Sequence, residues 1–441
     1  MRKNALPRMA SVVPRSPELR ADPSRPRQPA QDRLSVQLAL GLVSAILVPT
    51  AVVLWLRDAS LSEAALRNSM SAAAVALLSG IFVTKRLSDF PGITRFETHI
   101  PIFIGAYVMV SAWLLFARLP YSTVFLTTSF ALTVGAFLVL TSVRRNRRMS
   151  FDVVPYGATD RLAAIGSIEL RPLARPEPAL ISPGSAVVAD LNADLPDEWE
   201  RLLARAALEG HPVYHVKQIE ESLTGKVDIE HLSENSLGSL IPNRAFADFK
   251  GAVDRLVAAL ALVLLAVPLA LVALIIRLDS PGPALFAQMR IGKGGRPFTV
   301  YNFRSMRHQQ DRSDERAAAV TAEGDARITR VGAVIRRLRI DELPQLINVI
   351  RGEMSWIGPR PEAYALSAWY EAELPFYSYR HIVRPGLTGW AQVNQGHVAD
   401  LSSVHDKLRY DFFYIKHFSL WLDVLILLRT ARIILTGFGA K

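Results

Sequence analysis

The segment Arg339-Ile340-Asp341-Glu342-Leu343-Pro344-Gln345-Leu346 sets two adjacent carboxylates beside a dense group of arginines, Arg336, Arg337 and Arg339. Those residue types at that spacing suit phosphate chemistry. A carboxylate oxygen can attack phosphorus or hold a divalent cation, and a guanidinium can hold phosphate oxygens in a bidentate fork. Pro344 lacks a backbone N–H and fits a first helical turn, so the sequence predicts a helix that begins near Leu343 and runs through Leu346, Ile347 and Ile350. Asp341 and Glu342 would then sit at its positive end, where the helix dipole and the arginines lower carboxylate pKa values. The same pattern also fits an ordinary solvated acidic pair, which helices favour in their first turn.

Such a pair works only where other elements hold it, and composition indicates what those elements are. The chain has 441 residues, enough for two or three structural units. Half of the residues are hydrophobic and the mean hydropathy is +0.20, yet the net charge is +11. A chain both apolar and basic points to a membrane protein whose charged face meets anionic lipid or a phosphorylated substrate. The sequence holds no recognised nucleic-acid-binding module and its aromatic residues lie mostly in apolar runs, so nucleic acid is not an expected partner. Cysteine is absent, which excludes disulfides, thiolate nucleophiles and cysteine-ligated metals.

Residues 1–33 mix cations with prolines and read as a disordered basic tail. Four apolar runs follow within 34–148, at 34–56, 66–84, 99–117 and 121–143, each long enough to cross a bilayer. The second is rich in Ala and Ser and is the weakest. With four spans the tail, the link holding Lys85, Arg86 and Arg95, and the run Arg144, Arg145, Arg147 and Arg148 share one side, which is the cytoplasm by the positive-inside rule. Residues 149–240 read as a small cytoplasmic α/β module with strands at 186–191 and 212–216 around a helix at 198–208. It lacks the G-x-G-x-x-G turn of a dinucleotide site and suits a structural, regulatory or oligomerisation role, including a homodimer contact. A fifth apolar run at 252–276 contains Pro268, which kinks a helix. It either crosses the membrane or enters and leaves by one face. Arg277, Lys293, Arg296, Arg304 and Arg307 just beyond it favour the re-entrant geometry, with the domain at 245–441 in the cytoplasm. The fold class is membrane α+β.

Several separated motifs then carry a resemblance. Pro281-Gly282-Pro283-Ala284-Leu285-Phe286, Phe303-Arg304-Ser305-Met306, Asp341-Glu342-Leu343-Pro344-Gln345-Leu346, Gly358-Pro359-Arg360-Pro361 and Arg384-Pro385-Gly386-Leu387-Thr388-Gly389-Trp390 occur in one order and spacing. Together they make residues 245–441 resemble the bacterial sugar transferase family, the monotopic polyprenyl-phosphate phosphoglycosyl transferases. The four-span front end resembles its long subfamily. The resemblance implies transfer of a hexose 1-phosphate from a UDP-hexose to polyprenyl (undecaprenyl) phosphate, with release of UMP, at the bacterial inner membrane, as the first step of exopolysaccharide, O-antigen or capsule synthesis. It implies Asp341 as nucleophile and Mg²⁺ ligand, Glu342 as its helper, and ping-pong kinetics. Arg304, Arg336, Arg360 and Arg384 fall in family positions and become the candidate substrate-binding cations. Pro359 and Pro361 fix the backbone around Arg360, and Pro268 marks the helix bend. A Mg²⁺-dependent membrane phosphatase and a non-catalytic membrane scaffold are the alternatives to transfer.

Two positions depart from the family pattern: Val267 precedes Pro268 where a small hydroxyl residue is usual, and Asn302 stands where lysine is frequent. Other conspicuous residues have structural readings. Gly292-Lys293-Gly294-Gly295 lacks P-loop spacing and reads as a hairpin turn between 284–290 and 297–303. His397 and His405 have no partners at zinc-ligand spacing. The amphipathic segment 420–435 is expected in the membrane interface.

Overall fold

The computed structural model describes residues 34–56, 62–87, 95–142, 149–165, 168–183, 185–227, 242–307, 327–395 and 401–436. The basic tail, the cations at 144–148, the linker at 228–241 and His397 lie outside the described residues. The chain forms two compact units, one built on Arg148–Val216 and the other on Gln37–Arg147 with Lys217–Lys441.

The front of the chain supplies α1 (Leu34–Trp55), α2 (Glu63–Leu87), α3 (Arg95–Phe116) and α4 (Thr123–Ser142). Helices α1, α2 and α4 are long and apolar enough to cross a membrane, whereas the apolar stretch of α3, Ile100–Phe116, is shorter. Their mutual packing uses small residues. Ala65, Ser69, Ala72, Ala73, Ala76 and Gly80 form the buried stripe of α2, and a methyl on Gly80 would lie 2.3 Å from the Phe103 ring. Close approach of this kind is how helices associate where hydrocarbon surroundings remove the hydrophobic drive. It also explains the low mean hydropathy of α2, 1.4 against 2.3 for α1: the Ala and Ser residues are the contact surface. Buried hydroxyls tie the bundle, with Tyr107 Oη 2.7 Å from Ser129 Oγ, which donates to the Ala45 carbonyl at 2.6 Å.

The smaller unit is a parallel sheet of β1 (Met149–Val153), β2 (Ile168–Pro172), β3 (Ala186–Ala189) and β4 (Val213–His215) in the order β2-β1-β3-β4. Helix α5 (Asp197–Leu208) covers it through Trp199, Leu202, Leu203 and Ala206, which meet Val187 and Ala189. The β3-α5-β4 core matches the pattern read from the sequence. The polar β1 and β2 carry no clear strand alternation and are additions.

The C-terminal domain hangs on α6 (Arg244–Asp279), a helix of 36 residues capped by the Asn243 side chain, with Pro268 in its interior. At 1.5 Å per residue it is about 54 Å long, more than a bilayer core needs. Leu256, Leu260, Val263, Leu264, Val267, Leu271, Leu274 and Leu278 are all exposed, and such a surface fits lipid surroundings. The inward face touches the domain on both sides of the proline. Ala258 packs with Leu346, Val349 and Met354, while Ile276 packs with Ala284, Phe303 and Ile335. Polar contacts fix the first half: Asp254 accepts from Ser355, and Lys250 bridges Asp254 at 3.5 Å and Asp423 at 2.9 Å.

Beyond α6, β5 (Leu285–Ile291) and β6 (Pro297–Phe303) form an antiparallel hairpin around the glycine-rich turn. Helix α7 (Arg330–Arg337) and α8 (Leu346–Ile350) flank the acidic pair, and β7 (Ser355–Ile357) pairs in parallel with β8 (Gly386–Thr388). Helices α9 (Tyr364–Glu373), α10 (Leu401–Lys416) and α11 (Leu420–Thr436) complete the core. Segment 420–435, expected in the interface, buries Leu422, Leu425 and Ile426 in that core and exposes Leu420, Leu427 and Ile434. Trp390, Phe413 and Tyr414 are likewise core residues.

Candidate active site

Helix α7 starts at Thr329, whose hydroxyl accepts from the Gly332 N–H at 2.9 Å. It stops at Arg339, which takes a left-handed backbone conformation, φ +58°. That conformation disfavours a side chain and turns the chain sharply into the acidic pair. The predicted helix start needs correction. A 3-10 turn, Ile340–Gln345, comes first, and the α-helix begins only at Leu346. Pro344 lacks the N–H that an α-turn onto the Ile340 carbonyl would use, so the chain tightens before α8 can form. Asp341 and Glu342 therefore lie inside the 3-10 turn. Gln345 donates to Asn302 Oδ1 at 2.7 Å, and Asn348 donates to the Thr299 carbonyl at 2.6 Å, which straps this region to β6. Asn302 is thus a strut beneath the pair.

The two carboxylates have opposite surroundings. Glu342 Oε1 receives Arg360 Nη2 at 2.8 Å and Arg339 Nη1 at 3.3 Å. Burial pushes this carboxyl up, but the charges of Arg360 and Arg339 and the Arg360 hydrogen bond outweigh it and hold Glu342 below the usual range. Asp341 Oδ1 is buried with no hydrogen-bond partner among the described residues. Burial, followed by the negative charge of Glu342, pushes Asp341 up to about 6, against the weaker pull of Arg360, Arg336 and Arg339. The expected lowering of both carboxylates thus holds for Glu342 and is corrected for Asp341. A dipole cannot offset desolvation where no donor touches the oxygen.

A match to the model of the bacterial sugar transferase family spans residues 245–437. The UDP-N-acetylgalactosamine-undecaprenyl-phosphate N-acetylgalactosaminephosphotransferase of Aeromonas hydrophila is 46% identical over 376 residues, which are 85% of this chain and 88% of that protein. The chain belongs to the bacterial sugar transferase family. Two further sugar transferases match over less of the chain. The UDP-glucose:undecaprenyl-phosphate glucose-1-phosphate transferase of Caulobacter vibrioides is 45% identical over 205 residues, 46% of this chain and 76% of that protein. The Escherichia coli protein of the same description is 40% identical over 194 residues, 44% of this chain and 40% of that protein.

In this sugar transferase the arginines picked out in the sequence divide. Arg360 contacts Glu342, and Arg336 on α7 acts on Asp341 through its charge. Arg304 is elsewhere: its guanidinium donates to the carbonyls of Ile276, Ser280 and Pro281 at 3.3, 2.6 and 3.0 Å and caps the end of α6. Arg384 lies across Gly251 of α6, where a methyl would come within 2.4 Å of its Nη1. It lines a cavity of about 410 Å³ with Arg244, Lys250 and Lys293. Sequence reasoning passed over Arg290, Glu362 and Arg380, which surround the Arg360 segment. They are distant in the chain and carry no local signature.

Proposed function

We propose that this transferase moves a sugar 1-phosphate from a UDP-sugar onto polyprenyl (undecaprenyl) phosphate, releasing UMP, as the first step of exopolysaccharide, O-antigen or capsule synthesis. The observation that carries the reading is Asp341: a buried carboxylate oxygen with no hydrogen-bond partner among the described residues, beside arginines, in a domain built on a helix long and apolar enough to enter a membrane. An oxygen held without donors keeps its electron pairs available for phosphorus. In the first step Asp341 attacks the sugar-linked phosphorus, and the bond from that phosphorus to the oxygen bridging to UMP breaks. The leaving oxygen departs as UMP. In the second step an oxygen of polyprenyl phosphate attacks the same phosphorus, the acyl-phosphate bond breaks, and the Asp341 carboxylate is regenerated. Arg360 and Arg336 would hold the diphosphate oxygens, while Glu342 keeps Arg360 aimed at the site. Arg384, seated on α6 at the cavity it shares with Arg244, Lys250 and Lys293, would act on the acceptor side.

Among the described residues no three His, Asp or Glu side chains converge on one point. The free oxygen of Asp341 nevertheless fits Mg²⁺, which commonly takes one or two carboxylates and completes its shell with phosphate and water. When bound, Mg²⁺ would offset the charge repulsion between nucleophile and diphosphate.

The re-entrant course of α6 belongs to the same proposal. Ala258 and Ile276, on opposite sides of Pro268, both pack on the one catalytic domain. Packing on one domain on both sides of the proline supports a helix that enters and leaves by the same face, which would let the site meet cytoplasmic nucleotide-sugar and lipid acceptor together. The donor sugar is read from the relative of matching length, which acts on UDP-N-acetylgalactosamine. The sequence favours a plain hexose such as glucose or galactose and leaves N-acetylated sugars open, and this relative supports an N-acetylhexosamine as the donor sugar. Purified protein in lipid, with Mg²⁺, polyprenyl phosphate and UDP-glucose, UDP-galactose or UDP-N-acetylgalactosamine, should release UMP with at least one donor. No UMP from a folded protein with any donor refutes the transfer, and inorganic phosphate in its place indicates a phosphatase.

A further inference from the structure

Between Gly358 and Glu362 the chain has prolines at 359 and 361, so two of its residues have no backbone N–H to donate. Its Gly358 N–H donates to the Thr388 carbonyl at 2.9 Å, and the rest of the segment is held by its carbonyls. Pro359 O accepts from the Gly386 N–H at 3.0 Å, and Glu362 O accepts from the Ile291 N–H at 3.3 Å. The two carbonyls between them are taken by side chains: Arg380 Nη2 donates to Arg360 O at 2.8 Å and Arg290 Nη1 donates to Pro361 O at 2.7 Å. Neither guanidinium is free to turn toward substrate. Arg380 is 3% exposed and is gripped by Asp411 at 2.9 Å and by the Tyr377 hydroxyl at 2.8 Å, with Glu362 at 3.8 Å. Arg290 is also held by Gln288 Oε1 at 3.0 Å.

We propose that Arg380 and Arg290 are positioning residues that hold the backbone of Arg360 from behind, so that its guanidinium meets Glu342 and the donor phosphates at a fixed place. The proposal rests on the transfer reading above only for what Arg360 binds; the clamp itself stands on the hydrogen bonds. Guanidinium is the required group at both positions. A planar fork reaches a carbonyl and a carboxylate or amide at once in set directions, whereas an ammonium on a flexible stem meets one of them. A displacement of about 1 Å at a phosphate ligand reduces turnover on the order of 100-fold.

A double-mutant cycle on the full-length protein in lipid tests this. Arg380→Lys is expected to lower kcat/KM for the UDP-sugar about 10- to 100-fold with the protein still folded and membrane-bound. In an Arg360→Lys background the same change is expected to lower it less than about 2-fold, because the group being positioned is already gone. Arg290→Lys, which leaves the Asp411 pair untouched, runs through the same cycle if Arg380→Lys does not fold. Effects that multiply independently in both cycles, or full activity of both single variants, overturn the proposal. Hydrogen exchange at the Gly386 and Ile291 amides, which donate to the Pro359 and Glu362 carbonyls of this segment, gives a readout without turnover: faster exchange on Arg380→Lys supports the clamp and unchanged exchange overturns it. Wild-type UMP release, measured alongside, separates a failed clamp from a failed transfer reading.

Discussion

Two arginine-rich regions flank the Arg360 segment of the catalytic domain, and one carboxylate of each, Glu362 behind it and Asp341 before it, is shifted in the opposite direction. In the rear cluster Glu362 is in contact with Lys407 and lies 3.8 Å from Arg380. Burial pushes Glu362 up, but Lys407 and Arg380 overcome it and draw the carboxyl down to about 2. In the front cluster Asp341 has Arg360, Arg336 and Arg339 nearby, yet among the described residues no hydrogen bond reaches its buried oxygen and it rises to about 6. Both groups are desolvated and both sit among cations. For Glu362 the touching cations outweigh the burial cost, whereas for Asp341 the surrounding arginines only temper it. Glu362 is therefore held ionised and ties the rear cluster together, while burial raises its neighbour Asp411, and the front pair is built with an unsatisfied oxygen.

The largest effect that can break this contrast is loss of the front carboxylate. Asp341→Asn removes the attacking oxygen and should lower turnover by more than about 1,000-fold. Its effect on stability should go the other way. The folded pKa lies above the unfolded value, so the ionised aspartate destabilises the fold above about pH 6, and the penalty fades as pH falls toward 4. At pH 7.5 Asp341→Asn should be more stable than wild type by up to about 3 kcal/mol, a gain that disappears near pH 4. By the same sign, wild-type kcat/KM should rise with pH through a midpoint near 6. Thermal unfolding at the two pH values is decisive: equal melting of variant and wild type at pH 7.5 would show that Asp341 is not held against its charge.

The same isosteric change in the rear cluster should act in reverse. Glu362 has its folded pKa depressed, so its contribution is present above its ordinary value of 4.5 and is lost as pH falls through about 2. Glu362→Gln leaves Lys407 and Arg380 without their shared partner and should destabilise the protein at pH 7 by about 3 kcal/mol. Denaturant unfolding of the two amide variants side by side should give opposite signs. A common sign would remove the distinction between the clusters.

Much of the fold could be read from the sequence because it rests on local pattern. The hairpin follows from a glycine-rich turn between two strand-like runs, and the front helices follow from apolar length. The weakness of the second run was itself informative, since Ala and Ser form its packing stripe. Tertiary effects were not legible. The partner of Arg304 is the end of a helix more than twenty residues away, and the seat of Arg384 is Gly251, over a hundred residues before it. The direction of the Asp341 shift depends on which atoms reach one oxygen, and no spacing in the sequence encodes that. The pair of carboxylates could be found from residue type, whereas their division of labour required the contacts.

Arg339 offers the smallest and sharpest test of that division. Its side chain is 41% exposed and meets Glu342 at 3.3 Å, whereas Arg360, 21% exposed, meets the same oxygen at 2.8 Å. An exposed ion pair is worth about 0–1 kcal/mol. Against it stands the left-handed backbone at φ +58°, which a glycine adopts without penalty and an arginine adopts at a cost of about 1 kcal/mol or more. Arg339→Gly should therefore leave stability unchanged or raise it by about 1 kcal/mol, and lower kcat/KM only about 2- to 5-fold, because Arg360 still holds Glu342. Measured beside Arg360→Lys, it ranks contact against proximity. If Arg339→Gly lost as much activity as Arg360→Lys, the strained arginine would be a substrate ligand in its own right, and its backbone conformation would be a device for aiming it.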